Sequence, residues 1–216
     1  MRVGERIEYK AQYGFLELGS MVLEVLDTIN YAGKKCYVLS SRLNSNPELG
    51  FIFSLNDTIE VWTTIDSFLP VVYKKGVHEG KYTNLTRLEF DHRNLLVYEG
   101  GSLKDTLLYP ARDLLSYWYY LRTIPLIEGD TSNVIIYEGE DNNDVQCIID
   151  RKINLKTKLG NFLATKLKLR TKAKGVLGSS GSMEIWYSTD SNRLPLQIKT
   201  HLKFGTVIFK IVGVSY

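Results

Sequence analysis

Leu194–Phe204 reads LPLQIKTHLKF, and the order of its side chains decides what kind of fold this chain makes. Leu194, Leu196, Ile198, Thr200, Leu202 and Phe204 share one parity; Pro195, Gln197, Lys199, His201 and Lys203 share the other. A β-strand sends successive side chains to opposite faces, so this segment has one dry face and one wet face. That is the pattern of an antiparallel sheet that packs on a core with one side and meets water with the other. Ile7 to Phe15 repeats it, with Ile7, Tyr9, Ala11, Tyr13 and Phe15 set against Glu8, Lys10, Gln12 and Gly14. So does Leu163 to Thr171, where Thr165, Leu167 and Leu169 alternate with Lys166, Lys168 and Arg170.

Immediately before this strand lies WYSTDSNRLP, Trp186 to Pro195, and a near copy, WTTIDSFLP, runs from Trp62 to Pro70. Each copy follows an apolar and acidic lead-in, Met183-Glu184-Ile185 or Ile59-Glu60-Val61, and each continues into another apolar strand. The simplest reading is one β-hairpin used twice. Trp62 and Trp186 end a strand on the core face, Asp66 and Asp190 turn the chain with their own backbone, and Pro70 and Pro195 start the next strand where no ladder donor is needed. The same pair of aspartates could be imagined as an acid/base pair, but Asp is the favoured residue of such turns.

Further strands are expected near 20–29, 35–43, 57–64, 69–77, 82–91, 94–99, 133–138, 145–158, 182–188 and 204–214, joined by short Gly/Asn/Asp turns. The Gly/Ser-rich run Gly175–Ser182 reads as a loop between two of them. One segment breaks the period. Between Pro110 and Arg122, Leu114, Leu115, Trp118 and Leu121 fall at i, i+1, i+4 and i+7, which predicts a helix near 111–122. Asp113 could cap it, or Pro110 could be its first residue, and Pro125 stops it. A second helical turn is expected at Pro47–Phe53. The chain therefore reads as a mainly β, antiparallel single domain, 1–216, with similar strand-rich halves, 1–104 and 133–216, around a central helical segment.

Composition narrows the chemistry. The net charge of +3 hides an asymmetry: 14 basic against 19 acidic residues up to and including Glu140, and 13 against 5 beyond it. That split suits an anionic partner, attraction between the halves, or protective lysines on edge strands. Cys36 and Cys147 sit in apolar segments with no CxxC spacing, and two buried thiols are expected. His78, His92 and His201 share no metal-ligand spacing, so no metal or other cofactor is expected. Gly178-Ser179-Ser180-Gly181 lacks the strand-to-helix elbow that activates a serine, and no catalytic residue can be assigned. Lys166, Lys168, Arg170, Lys172 and Lys174 occur at every second position and would make a basic ladder on one face of a strand. Nucleic-acid binding would add aromatics to that face, and they lie elsewhere. Lipid headgroups are the better match for the ladder, against the plainer reading of a solvated outer face.

Gly4-Glu5-Arg6-Ile7-Glu8-Tyr9 with Gly19 after it, Asp113-Leu114-Leu115-Ser116 leading to Tyr120-Leu121-Arg122, Gly129-Asp130, and Trp186 to Pro195 together resemble the bacterial exported proteins grouped as domain of unknown function 3108. The resemblance implies a periplasmic or cell-envelope location and a signal removed before Met1; it carries no catalytic residues over. At fold level the chain is also similar to the periplasmic lipoprotein carriers, which implies a curved sheet, a half-barrel or open barrel, with helix covering its apolar concave side. The expectation is an envelope protein that binds an apolar ligand such as a lipid or acyl chain without bond chemistry. Leu114, Leu115, Trp118 and Leu121 would form the lid or floor, and the lysine ladder would meet a membrane surface. The alternatives are a structural or interaction module that captures an envelope protein, and a hydrolase of envelope polymers that would need Asp66 or Asp190 in a cleft with a second acid.

Overall fold

In the computed structural model, residues 1–49, 54–80, 82–172, 177, 181–202 and 205–216 are described. The first half supplies β1 (Arg6–Tyr13), β2 (Leu16–Tyr31), β3 (Lys34–Ser45), a 3-10 turn at Pro47–Leu49, β4 (Asn56–Thr64), β5 (Pro70–Glu79), β6 (Tyr82–Asp91), β7 (Leu96–Glu99) and β8 (Ser102–Thr106). After the helix α1 (Leu114–Tyr120) come β9 (Thr131–Ile136), β10 (Asn143–Thr157), β11 (Gly160–Arg170), β12 (Ser182–Ser188), β13 (Pro195–Leu202) and β14 (Gly205–Ser215). The expected meander is present, with β8 as an addition. SLKDT has no apolar alternation to announce it. Of the second helical turn, Pro47–Leu49 forms; Phe51–Phe53 lie outside the described residues, as does most of the Gly/Ser-rich loop.

All 14 strands join one antiparallel sheet in which chain neighbours are sheet neighbours, and β1 pairs with β14. The two strands flanking the helical segment, β8 and β9, are consequently its edges, and the sheet is not closed by strand pairing. Register shifts at Glu8/Tyr9, Ala11/Gln12, Val25/Asp27, Trp62/Thr63, Ile149/Lys152 and Trp186/Tyr187 are spread across it. Each such bulge bends its strand and increases the local twist, which is how a sheet this wide coils. The linker between the edges does what strand pairing does not. Leu107 donates its amide to Leu95, while Arg112 bridges in parallel to Ile136, its amide reaching the Ile135 carbonyl and its carbonyl accepting from Tyr137. The Asn142 side chain ties the two edges further, accepting from the Leu108 amide and donating to the Thr106 carbonyl, both at 3.1 Å.

The core lies on the concave face. Ile7, Tyr9, Leu23, Leu39, Val61, Tyr73, Leu88, Leu167, Ile185, Leu196 and Ile198 are buried there, and α1 sits among them. The helix is shorter than the expected 111–122. Asp113 caps it, its Oδ1 accepting from the Ser116 amide at 2.9 Å. Besides Leu115, Trp118 and Leu121, Ser116, Tyr117 and Tyr119 are buried, so the sheet encloses the helix on almost every side.

The two copies of the Trp hairpin have the same register. Trp62 pairs with Val72 and Thr63 with Pro70; Trp186 pairs with Gln197 and Tyr187 with Pro195, each with a bulge directly after the Trp. In both, the hydroxyl two residues after the Trp, on Thr64 or Ser188, accepts from the amide of Leu69 or Leu194. In both, the residue before that Leu, Phe68 or Arg193, takes a positive φ, 52° or 45°. One expectation is corrected in part: Trp62 lies off the core face, while Trp186, on the parity of Glu184, is still only 6% exposed and packs with the core residues. Val61 and Thr63 point inward, while Trp62 lies outside with Glu60 and Lys74, its Nε1 donating to Glu60 at 2.9 Å and Lys74 Nζ 4.6 Å above its ring. Trp186 shares a face with Glu184 and Lys166, whose Nζ stands 5.2 Å from the ring centre. Plain alternation accounts for this: with Val61 and Ile185 on the inward parity, each Trp falls on the parity of Glu60 or Glu184, and the extra residue of each bulge, Val71 or Leu196, lies in the partner strand.

Candidate ligand-binding site

The concave face has two differently filled ends. At one, the end of α1 is fastened to three other segments. Arg122 forms a bidentate pair with Glu5, at 2.5 and 2.9 Å, with both side chains almost fully buried, and donates at 3.0 Å to the Asn192 carbonyl. Arg193 returns a hydrogen bond to the Ile124 carbonyl, and Arg112 donates at 2.7 Å to the Ser67 carbonyl. Tyr187 donates to the Trp118 carbonyl at 3.0 Å. Both duplicated turns therefore grip the helical segment. At its start, Glu138 Oε1 accepts from the Leu114 amide at 3.2 Å. Burial, reinforced by the nearby Asp113 and opposed by Lys75, pushes the Glu138 carboxyl up to about 7.

At the other end the strands run past the core and enclose a cavity of about 650 Å³. Ala11 and Tyr13 from the end of β1, Leu16, Leu18 and Gly19 from the start of β2, and Leu43 from the end of β3 form one part of its wall. Leu49, Leu55, Val207 and Phe209 extend the apolar wall, and Asn44, Ser45, Ser54 and Glu79 add its polar part. Its length beyond the core follows from strand length: at about 3.3 Å per residue, the 16 residues of β2 span roughly 50 Å, more than the enclosed helix can cover. Among the described lining residues Glu79 is the one that carries charge, and the Ser45 hydroxyl is already used by the Leu55 amide at 3.0 Å. The cavity can hold an apolar body by exclusion of water; among the described residues it offers no nucleophile beside a base and no cluster of metal ligands.

Two glycines shape this end. A Cβ on Gly19 would lie 2.0 Å from the Asn44 carbonyl oxygen, so only glycine lets β2 and β3 approach here. Gly205, at φ 135°, lies under the Tyr13 ring, with a Cβ position 2.4 Å from Tyr13 Cε2.

The structure places the sequence-predicted residues away from this cavity. Leu115, Trp118 and Leu121 are packed solid at the opposite end, with Leu114 half-buried beside them, so they form no wall of the cavity. Lys166 pairs with Glu184 at 2.5 Å and Lys168 with Asp150 at 2.9 Å, while Lys199 adds a second cation to Glu184 at 3.3 Å. Two members of the ladder, Lys166 and Lys168, are thus met by neighbouring acids on the outer face; Arg170 and Lys172 are exposed, and Lys174 lies outside the described residues. Asp66 and Asp190 are exposed, accept amides of their own turns and do not line the cavity, so the cleft that a hydrolase reading requires is not formed by them. Cys36 and Cys147 are free, buried thiols.

What sequence reasoning missed is the cavity itself. The local signal was YGFLEL, Tyr13 to Leu18, in which apolar residues occupy both parities and cannot all face one core. Phe15, assigned to the first strand by alternation, stands instead in the turn after β1.

Comparison with known proteins gives a family and a fold. The profile of a family described as "Protein of unknown function (DUF3108)" matches residues 8–212. No curated protein matches the chain. A β-barrel-like protein of domain of unknown function DUF1849 from Brucella abortus superposes with a TM-score of 0.62 at 9% identity, over 99% of this chain and 97% of that one. A provisionally assigned lipoprotein from Parabacteroides distasonis gives 0.43 at 12% identity, covering 99% and 96%. A provisionally assigned exported protein with a YmcC-like fold from Bacteroides fragilis gives 0.41 at 13%, covering 100% and 97%.

Proposed function

The chain belongs to the DUF3108 family of proteins of unknown function, and on that footing we propose that it is a cell-envelope binding protein that shelters an apolar chain, such as the acyl part of a lipid, in the cavity at the end of its sheet. One observation carries this reading: an apolar cavity of about 650 Å³, open at one end, persists where the rest of the concave face is filled by α1. Small-molecule sites usually occupy about 300–1,000 Å³ and are lined mainly by apolar groups. A cavity that served only as a packing defect would cost stability without return, because its wall forfeits dispersion contacts. The envelope location is part of the proposal and rests on the exported character that the family resemblance implies; no helix among the described residues is long and apolar enough to cross a membrane.

Native mass spectrometry of protein extracted under mild conditions tests the reading. The expected spectrum contains a chain plus one lipid-sized adduct that solvent extraction removes. A spectrum of bare chain, from protein that also fails to take up cis-parinaric acid, would contradict it.

A further inference from the structure

The hairpin that joins β1 to β2 projects beyond the cavity mouth with an unusual side chain at its tip. Phe15 is 103% exposed, so no atom of the fold covers it. It is flanked by Tyr13 and Leu16, which are cross-strand partners, 42% and 43% exposed, and both line the mouth. On the neighbouring tip, Tyr82 is 59% exposed and pairs with Glu79, another residue of the mouth.

We propose that this hairpin tip is a membrane-docking wedge, in which Phe15 enters the interfacial layer of a lipid bilayer and sets the cavity mouth on the surface. The inference deepens the apolar-chain reading and rests on it for the purpose of docking, though not for docking itself. Three observations select a bilayer as the occupant. The exposed apolar side chains are continuous with an open apolar cavity, so a chain leaving the bilayer would cross no polar gap. The tip is too small for a protein partner: three side chains offer a few hundred Å² at most, roughly, against about 800 Å² per side in a stable protein interface. Aromatic rings flanked by polar backbone are also the groups that settle at the membrane–water boundary. Among the described residues, the charges of the hairpin itself, Lys10 and Glu17, neutralise one another at 2.7 Å and Glu79 at the mouth is acidic, so docking should owe little to anionic headgroups.

Vesicle flotation separates this proposal from the cavity reading. The intact chain should float with neutral phosphatidylcholine vesicles, with little change when phosphatidylglycerol or salt is added. Phe15→Asp should reduce the floated fraction about tenfold or more, the cost of losing one buried aromatic, while keeping cis-parinaric acid uptake and the unfolding midpoint. Ala11→Phe, which fills the cavity, should lose uptake and still float. If Phe15→Asp floats like the unaltered chain, or if flotation requires anionic lipid and vanishes with salt, the wedge is wrong. The same holds if Phe15 drives a concentration-dependent dimer in size-exclusion chromatography. Absent uptake with Phe15-dependent flotation would leave docking standing and remove the cavity reading alone.

Discussion

Glu138 holds its carboxylate against the first amide of α1 in a site that burial makes costly for charge, and this has a measurable sign. Its folded value of about 7 lies above the value of about 4.3 expected unfolded. Between the two the folded chain binds a proton that the unfolded chain has released, so stability is fully present below pH 4.3, falls as pH rises and levels off above pH 7. The loss should not exceed about 4 kcal/mol, and Asp113, also raised by burial, acts in the same direction. Glu138→Gln keeps the acceptor and removes the charge. In urea unfolding it should match the unaltered protein near pH 4 and exceed it at pH 8, whereas equal stability at both values would contradict the assignment. At Gly19 the argument is steric. Gly19→Ala drives a methyl into the Asn44 carbonyl and must part β2 from β3, so a destabilisation of about 2 kcal/mol or more is expected in the same assay.

Among the elements, α1 is held by its own buried side chains and, beyond its end, by a buried ion pair. Arg122 and Glu5 are 117 residues apart in the chain, and their bidentate pair joins the helical segment to the start of β1. Removing one partner leaves the other as an uncompensated buried charge. Glu5→Ala should therefore cost about 3–5 kcal/mol, while Glu5→Leu combined with Arg122→Met should recover most of it. A double variant as unstable as the single one, by urea unfolding, would show that the pair does more than neutralise itself. Asp113→Ala should cost about 1 kcal/mol for the lost cap. Both motifs belong to the stretches on which the family resemblance rests, and both turn out to hold the helix.

This is also the scale at which the sequence was most readable. Period-two runs gave the strands, the Leu114/Trp118 spacing gave the helix, and the repeated Trp-to-Pro phrase gave a repeated hairpin whose register agrees in both copies. The side to which Trp62 points was misread although Val61 and Thr63 on either side of it take the inward parity and leave it with Glu60. The partner of Glu5 was not legible, since nothing local in a strand names a residue on a distant helix. The cavity was least legible of all. Its wall draws single residues from the ends of several strands, and only the assembled sheet brings Ala11, Leu43 and Val207 to one space.

For the whole molecule, a coiled, open antiparallel sheet is filled by a helix at one end and left hollow at the other, and the hollow end is the proposed binding site. The paired lysines of β11 give the outer face a structural explanation, so function is assigned to the interior and its mouth. The most direct test is a fluorescence titration of the delipidated chain with cis-parinaric acid, beside Ala11→Phe, whose new ring occupies the cavity. The account predicts saturable uptake of one probe per chain and a loss of at least tenfold in affinity for Ala11→Phe at unchanged unfolding midpoint. Uptake that is absent in the unaltered chain, or equally strong in Ala11→Phe, would contradict it.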